Sequence, residues 1–126
     1  MYQIEKLDDK SFYIKAIGSF PPPVAERFVK EFKEKIIDIK EGLRVIVDIT
    51  DAILLNINSI EIILNLLQRD NDKLYRSAFI ISGNPPLNEE FKYLLEKAEN
   101  PKRKVVSTLN EAKKWIGVSK IIIRRD

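Results

Sequence analysis

The 126-residue chain contains neither cysteine nor histidine. Those absences remove disulfides, thiolate nucleophiles, histidine-based triads and zinc sites built on nitrogen or sulfur ligands. Its four glycines form no phosphate-cradling loop, and no G-x-S-x-G elbow occurs. No apolar run approaches the roughly 20 residues that a membrane span requires. The opening MYQIEKLDDK lacks the basic-then-apolar succession of a secretory signal. A cytoplasmic protein without membrane insertion is therefore expected. The charge surplus is small, +3. Lys102, Arg103 and Lys104 form one basic cluster and Lys120, Arg124 and Arg125 another. Neither is interleaved with aromatics in the sequence, so no nucleic-acid partner is expected.

What is present describes a globular chain. With 44% hydrophobic and 33% charged residues, the composition suits one domain of the commonest size. Tyr2–Leu7 and Ser11–Ile17 alternate around the polar turn Asp8-Asp9-Lys10, as two strands of a hairpin do. Pro21-Pro22-Pro23 leads into a helix in which Val24, Phe28, Phe32 and Ile36 recur every four residues. Leu43–Ile49 (LRVIVDI) and Ser77–Ile81 (SAFII) are short β-branched or apolar runs of the kind buried on both faces of a parallel sheet. A helix is expected at Ser59–Gln68, another carrying Leu87, Phe91, Leu94, Leu95 and Ala98, and a last one through Ala112, Trp115 and Ile116. That last helix has Ser107 or Thr108 as its cap and Gly117 as its stop; Val105-Val106 forms the brief strand before it. The order β-β-α-β-α-β-α-β-α predicts an α/β domain over 1–117, with a mixed, mostly parallel sheet, an N-terminal hairpin and about four helices. The tail 118–126, with KIIIRR inside it, reads as a possible extra edge strand whose charges guard three isoleucines.

Nothing in the sequence converges on a reactive centre. Glu89 and Glu90 are adjacent on a helix and so diverge. Asp8-Asp9, Asp48, Ser82 and Lys104 follow the order of groups in a two-component receiver. However, a strand rather than helix, strand and helix follows the acidic pair. No catalytic residue, metal site or cofactor is expected. The features that stand out are Asp48, at a strand's C-terminal edge where open α/β sheets bind ligands, and the polar head of the second helix. Asn58 or Ser59 serves there as an N-cap; the same free N–H groups also suit a partner's carboxylate. That helix then carries Ile60, Ile62, Ile63, Leu64, Leu66 and Leu67, more aliphatic surface than one buried stripe needs. The excess predicts an apolar patch for association.

In "VIVDITDAILLNINSIEII" a strand aspartate leads through a short loop to a polar helix start; "SAFIISGN" and "VVSTLNEAKKWI" follow. This layout resembles the STAS domain of anti-sigma-factor antagonists and sulphate-transporter tails, over Tyr2 to Ile116. It is also similar to STAS/SEC14-like relatives, whose last helix often carries a tryptophan at the position of Trp115. The resemblance implies a non-catalytic regulatory module that binds a protein partner or a second copy of itself, such as one that sequesters an anti-sigma kinase. The implied partner-binding residues are Asp48, Asn56, Asn58, Ser59, Ile60, Ile63 and Leu67, with the loop from Thr50 to Ile57. The family's Asp-Ser-Ser-Gly-Leu motif falls on Asn56-Ile57-Asn58-Ser59-Ile60. Asn58 thus replaces the phosphorylated serine, and Asn56 the motif's aspartate. Asparagine accepts no phosphoryl group, so the serine switch is expected to be missing; a register slip of one would put Ser59 in the serine's place. The SEC14-like side of the resemblance implies the alternative, a carrier of a lipid or other small apolar ligand.

Overall fold

The structure, a computed structural model, describes residues 2–55, 57–70, 72–80, 89, 92, 93, 96 and 102–117, without the side chains of 52–55, 57, 60, 64, 67 and 70. Strands β1 (Tyr2–Asp8) and β2 (Ser11–Phe20) pair antiparallel. Their turn forms because the Asp8 side chain accepts a bond from the Lys10 amide at 2.9 Å, the local bond that makes aspartate a turn residue. Helix α1 (Pro22–Ile36), strand β3 (Leu43–Leu55), helix α2 (Ile57–Asp70) and strand β4 (Leu74–Ile80) follow. Strand β5 (Arg103–Val106) and helix α3 (Leu109–Ile116) complete the described elements. The sheet runs β1-β2-β3-β4-β5, and every pair after the first is parallel. This is the mixed, mostly parallel α/β sheet with an N-terminal hairpin that the sequence predicts.

Three helices are described. The helix expected around Leu87–Ala98 falls outside the described residues except at Glu89, Lys92, Tyr93 and Glu96, which are helical. The 118–126 tail lies wholly outside them.

The connections β2-α1-β3 and β3-α2-β4 both step in the same direction across the sheet. Right-handed crossovers therefore put α1 and α2 on one face. Phe28, Phe32 and Ile36 of α1 and Ile63 and Leu66 of α2 meet Phe12, Ile14, Val45, Ile49 and Phe79 of the sheet there. The opposite face carries Tyr13, Ile46, Ala78, Ile80 and Val106 under Ala112 and Ile116 of α3. Pleat alternation alone produces this division: Phe12 and Ile14 point one way, Tyr13 the other.

Several element ends differ from the sequence reading, and pairing explains them. β3 does not stop at Ile49 but continues to Leu55, because β2 itself runs on past Gly18 to Phe20. Ile17 pairs with Asp51, Gly18 with Ala52 and Phe20 with Leu55. The expected loop Thr50–Leu55 is thus strand. β4 begins three residues early, at Leu74, and β5 two residues early, at Arg103. α2 begins at Ile57, so Asn58 and Ser59 lie within its first turn. They do not cap it as expected. The cap of α3 falls where expected: Thr108 Oγ1 accepts from the Glu111 amide at 3.2 Å. Gly117 closes that helix in the left-handed region at φ 82°, where a Cβ would be penalised.

Candidate functional site

Asp48 has no exposed surface. The alternation that buries Val45, Val47 and Ile49 toward α1 and α2 sends Asp48 to the other face, beside Lys15, its pairing partner on β2. Its Oδ1 accepts from the Thr50 amide at 3.0 Å and from the Thr50 hydroxyl at 2.6 Å. Its Oδ2 accepts from the Tyr13 hydroxyl at 2.5 Å. A hydroxyl beside a carboxylate has the makings of a nucleophile and base, but this carboxylate is fully buried and both its oxygens are bonded. Asp48 acts as a brace between β2 and the outer half of β3. The strand end expected at Asp48 lies instead at Leu55, so Asp48 sits within β3.

Lys15 is 6% exposed. Its ammonium reaches the Asp51 carboxylate at 3.0 Å. The register of the β2–β3 pair slips between Lys15 and Ile17: two residues of β2 span three of β3. This bulge matters, since without it Asp51 would follow Ile49 to the opposite face; an extra residue re-aims the side chains beyond it. A buried ammonium needs such a partner. Tyr13, Lys15, Thr50 and Asp51 thus gather round Asp48; the sequence reading included Thr50 and Asp51 only as part of the loop Thr50–Ile57, and named neither Tyr13 nor Lys15 for the site. The available signal was Tyr13 and Lys15 two residues apart in a strand, one charged, both facing the side that holds Asp48.

The head of α2 follows the end of β3 in sequence. Asn58 is exposed and Ser59 fully buried. Ser59, Ile63 and Leu66 are spaced four and three apart on the stripe that faces the core. Among the described residues the Ser59 hydroxyl has no hydrogen-bond partner, so its value there is smallness rather than polarity. Ile63, expected to contact a partner, is instead spent on the core beside α1. Ile62 is half-buried and packs on the same cluster. Asn56 and the side chains of Ile60 and Leu67 lie outside the described residues. Of the seven expected residues, Asp48, Asn58, Ser59 and Ile63 can be placed. They lie along one strand–helix unit, β3 and α2, but Asn58 alone of them faces solvent.

Two clefts are lined by described residues. One, of about 410 Å³, lies between Tyr2, Val24, Arg27 and Glu31. The other, of about 400 Å³, lies among Asp9, Lys10, Asp38, Ile39, Lys40 and Glu41. In the first, the Tyr2 hydroxyl donates to Glu31 at 2.7 Å. Burial, then the Glu31 contact, pushes the Tyr2 phenol up to about 12. Among the described residues no three carboxylates converge to hold a metal, and no helix is long and apolar enough to cross a membrane.

The fold is SpoIIAA-like, as the resemblance to STAS domains implies. An uncharacterised protein of the DUF3478 family from Shewanella loihica PV-4, itself SpoIIAA-like in fold, superposes with a TM-score of 0.70 at 20% identity over 92% of each chain. Unphosphorylated SpoIIAA, an anti-sigma factor antagonist, gives 0.68 at 11% identity, over 93% of this chain and 98% of its own. An anti-sigma factor antagonist from Mycobacterium paratuberculosis gives 0.66 at 11% identity over 93% of both. No family model and no curated protein sequence matches the chain. At these identities the likeness defines the fold, and function must be argued from the site.

Proposed function

We propose that the chain is a non-catalytic regulatory module that docks a partner protein, or a second copy of itself, at the head of α2 and the adjoining Thr50–Leu55 end of β3. It works in the manner of an anti-sigma-factor antagonist but without a serine switch, and in the cytoplasm. One observation carries the reading: at the motif position the exposed residue is Asn58, whereas the neighbouring hydroxyl, Ser59, is fully buried. A kinase needs an accessible hydroxyl, and this helix presents an amide instead. Asp48 contributes by holding the outer half of β3 in place, not by touching the partner. Asn56, Ile60 and Leu67 complete the proposed surface; Ile63 does not belong to it.

Binding of purified anti-sigma factors, followed by native mass spectrometry, tests the docking. Asn58→Arg should abolish a complex while lowering the thermal midpoint by only a few degrees, the order of placing a cation in a helix's first turn. An unchanged complex would refute the site. Incubation with serine kinases and ATP tests the missing switch, and stoichiometric phosphate on Ser59 would overturn it. The alternative is a lipid carrier, which needs an enclosed apolar cavity; the two clefts of the described residues carry charged side chains in their linings. A lipid retained through purification would favour it.

A further inference from the structure

At the opposite ends of the strands, on the face covered by α3, cations and aromatic rings alternate. The Arg44 guanidinium lies 4.9 Å from the Tyr75 ring centre and that of Arg76 5.3 Å from the same ring. Arg76 also lies 4.2 Å from the Trp115 ring, and the Lys104 ammonium 5.1 Å from it. The ladder therefore crosses β3, β4 and β5. It is assembled by a register slip: Leu43 pairs with Leu74 but Arg44 with Arg76. Tyr75 is the extra residue, and the bulge turns it out to 45% exposure between the two arginines, as bulges do.

This arrangement has an unusual charge balance. Like charges directly opposite each other on paired strands are destabilising, and Arg44 and Arg76 are such a pair. Among the described residues neither they nor Lys104 meets a carboxylate. The arginines are held by neutral groups instead: Arg44 Nη1 donates to the Gly117 carbonyl at 3.4 Å and Arg76 Nη1 to the Trp115 carbonyl at 3.1 Å. Those carbonyls end α3, so the contacts also suit its dipole. They occupy one nitrogen of each guanidinium, and a guanidinium has five N–H donors. Rings and carbonyls fix the orientation of the cations without neutralising them.

We propose that Arg44, Arg76 and Lys104 form a second docking surface, for an acidic helical segment of a partner protein. Arg44 and Arg76 are directly paired and stand about 4.8 Å apart at the backbone, while Lys104, paired with Ala78, lies diagonally from Arg76 at about 7–8 Å. Carboxylates one turn apart on a helix match the arginine spacing, with Cβ atoms about 5–6 Å apart. Single-stranded nucleic acid is the poorer fit, because the faces of Tyr75 and Trp115 that would stack on bases are engaged by the protein's own cations.

Trp115 is the chain's single tryptophan and reports on the ladder directly. An alanine-based helical peptide with glutamates at i and i+4 should change its fluorescence on titration. An isomeric peptide with the same glutamates spread round the helix, and an oligothymidylate, should bind more weakly. Lys104→Gln should weaken the first peptide roughly fivefold, the order of one exposed ion pair, at an unchanged thermal midpoint; Asn58→Arg should leave the titration untouched. No fluorescence change, equal binding of the two peptides, tighter oligonucleotide binding, or an unaffected Lys104→Gln variant would each overturn the proposal. Because Asn58 lies at the other end of the strands, either surface can fail without the other.

Discussion

The two faces of the sheet solve the same problem by different means. Toward α1 and α2 the filling is aromatic and aliphatic. Phe28 stacks on Phe32 with ring centres 5.8 Å apart, Phe12 meets Phe32 edge-on at 5.7 Å, and Phe20 and Tyr2 close the end. Toward α3 the apolar cluster among the described residues is smaller. The helix there has 8 residues against 15 in α1, and buried polar groups take up the remaining load: Tyr13, Asp48 and Lys15 at one end of the strands, and the Trp115 indole at the other. The indole N–H donates to the Ser77 carbonyl at 3.0 Å. Bulk apolar packing tolerates adjustment, whereas a bonded polar cluster holds one geometry or none. Among the described residues one face is packed by rings and aliphatics, and the other holds the chain's distinctive chemistry in position.

The contrast can be broken at its strongest point first. Phe32→Ala should cost about 3–5 kcal/mol, the usual range for emptying an aromatic from a core, read as a lower urea midpoint. Asp48→Ala should cost about 3 kcal/mol, since it strands two hydroxyls and an amide around a buried site. Asp48→Asn keeps the volume and should lose less. If Asp48→Ala proved neutral, the polar brace would be no brace. Thr108→Ala removes the α3 cap and should cost about 1 kcal/mol, seen as a small drop in thermal midpoint. Gly117→Ala should cost a similar amount, about 1 kcal/mol: its Cβ would meet Arg44 Nη1 at 3.2 Å with φ at 80° or so.

The smallest effect sharpens the comparison by pH. The folded Tyr2 phenol holds its proton up to about 12, above the value near 10 of an unfolded tyrosine. The stabilisation linked to that shift is complete below pH 10 and disappears as pH rises toward 12. The stability gap between the wild type and Tyr2→Phe, measured by urea unfolding at successive pH values, should therefore narrow between pH 10 and 12. A gap that widened there would reverse the assignment.

Much of the architecture was legible along the chain. The recurrence of Phe28, Phe32 and Ile36, the β-branched run around Val45 and the cap-to-stop pair Thr108 and Gly117 are local signals set by helix and strand periodicity. The length of β3 was not legible. Thr50–Leu55 contains turn-forming polar residues, and only pairing with Ile17–Phe20 makes it strand. The site was half legible. Asp48 stood out as a carboxylate in an aliphatic run, but Lys15 and Asp51 join it through a bulge that no spacing rule announces. Of the aliphatics counted on α2, Ile63 and Leu66 are consumed by α1 and the sheet, whereas the side chains of Ile60, Leu64 and Leu67 lie outside the described residues.

What the sequence determined by itself was periodicity and exclusion: which segments could be helix or strand, and which chemistries lacked their atoms. Both follow from covalent composition and local geometry, which need no distant partner. Tertiary structure decided which charges meet. Lys15 found Asp51, and Arg44 and Arg76 came to share Tyr75, through register slips between strands distant in sequence. Pairing energy summed over whole strands sets such registers, so no short stretch of residues specifies them.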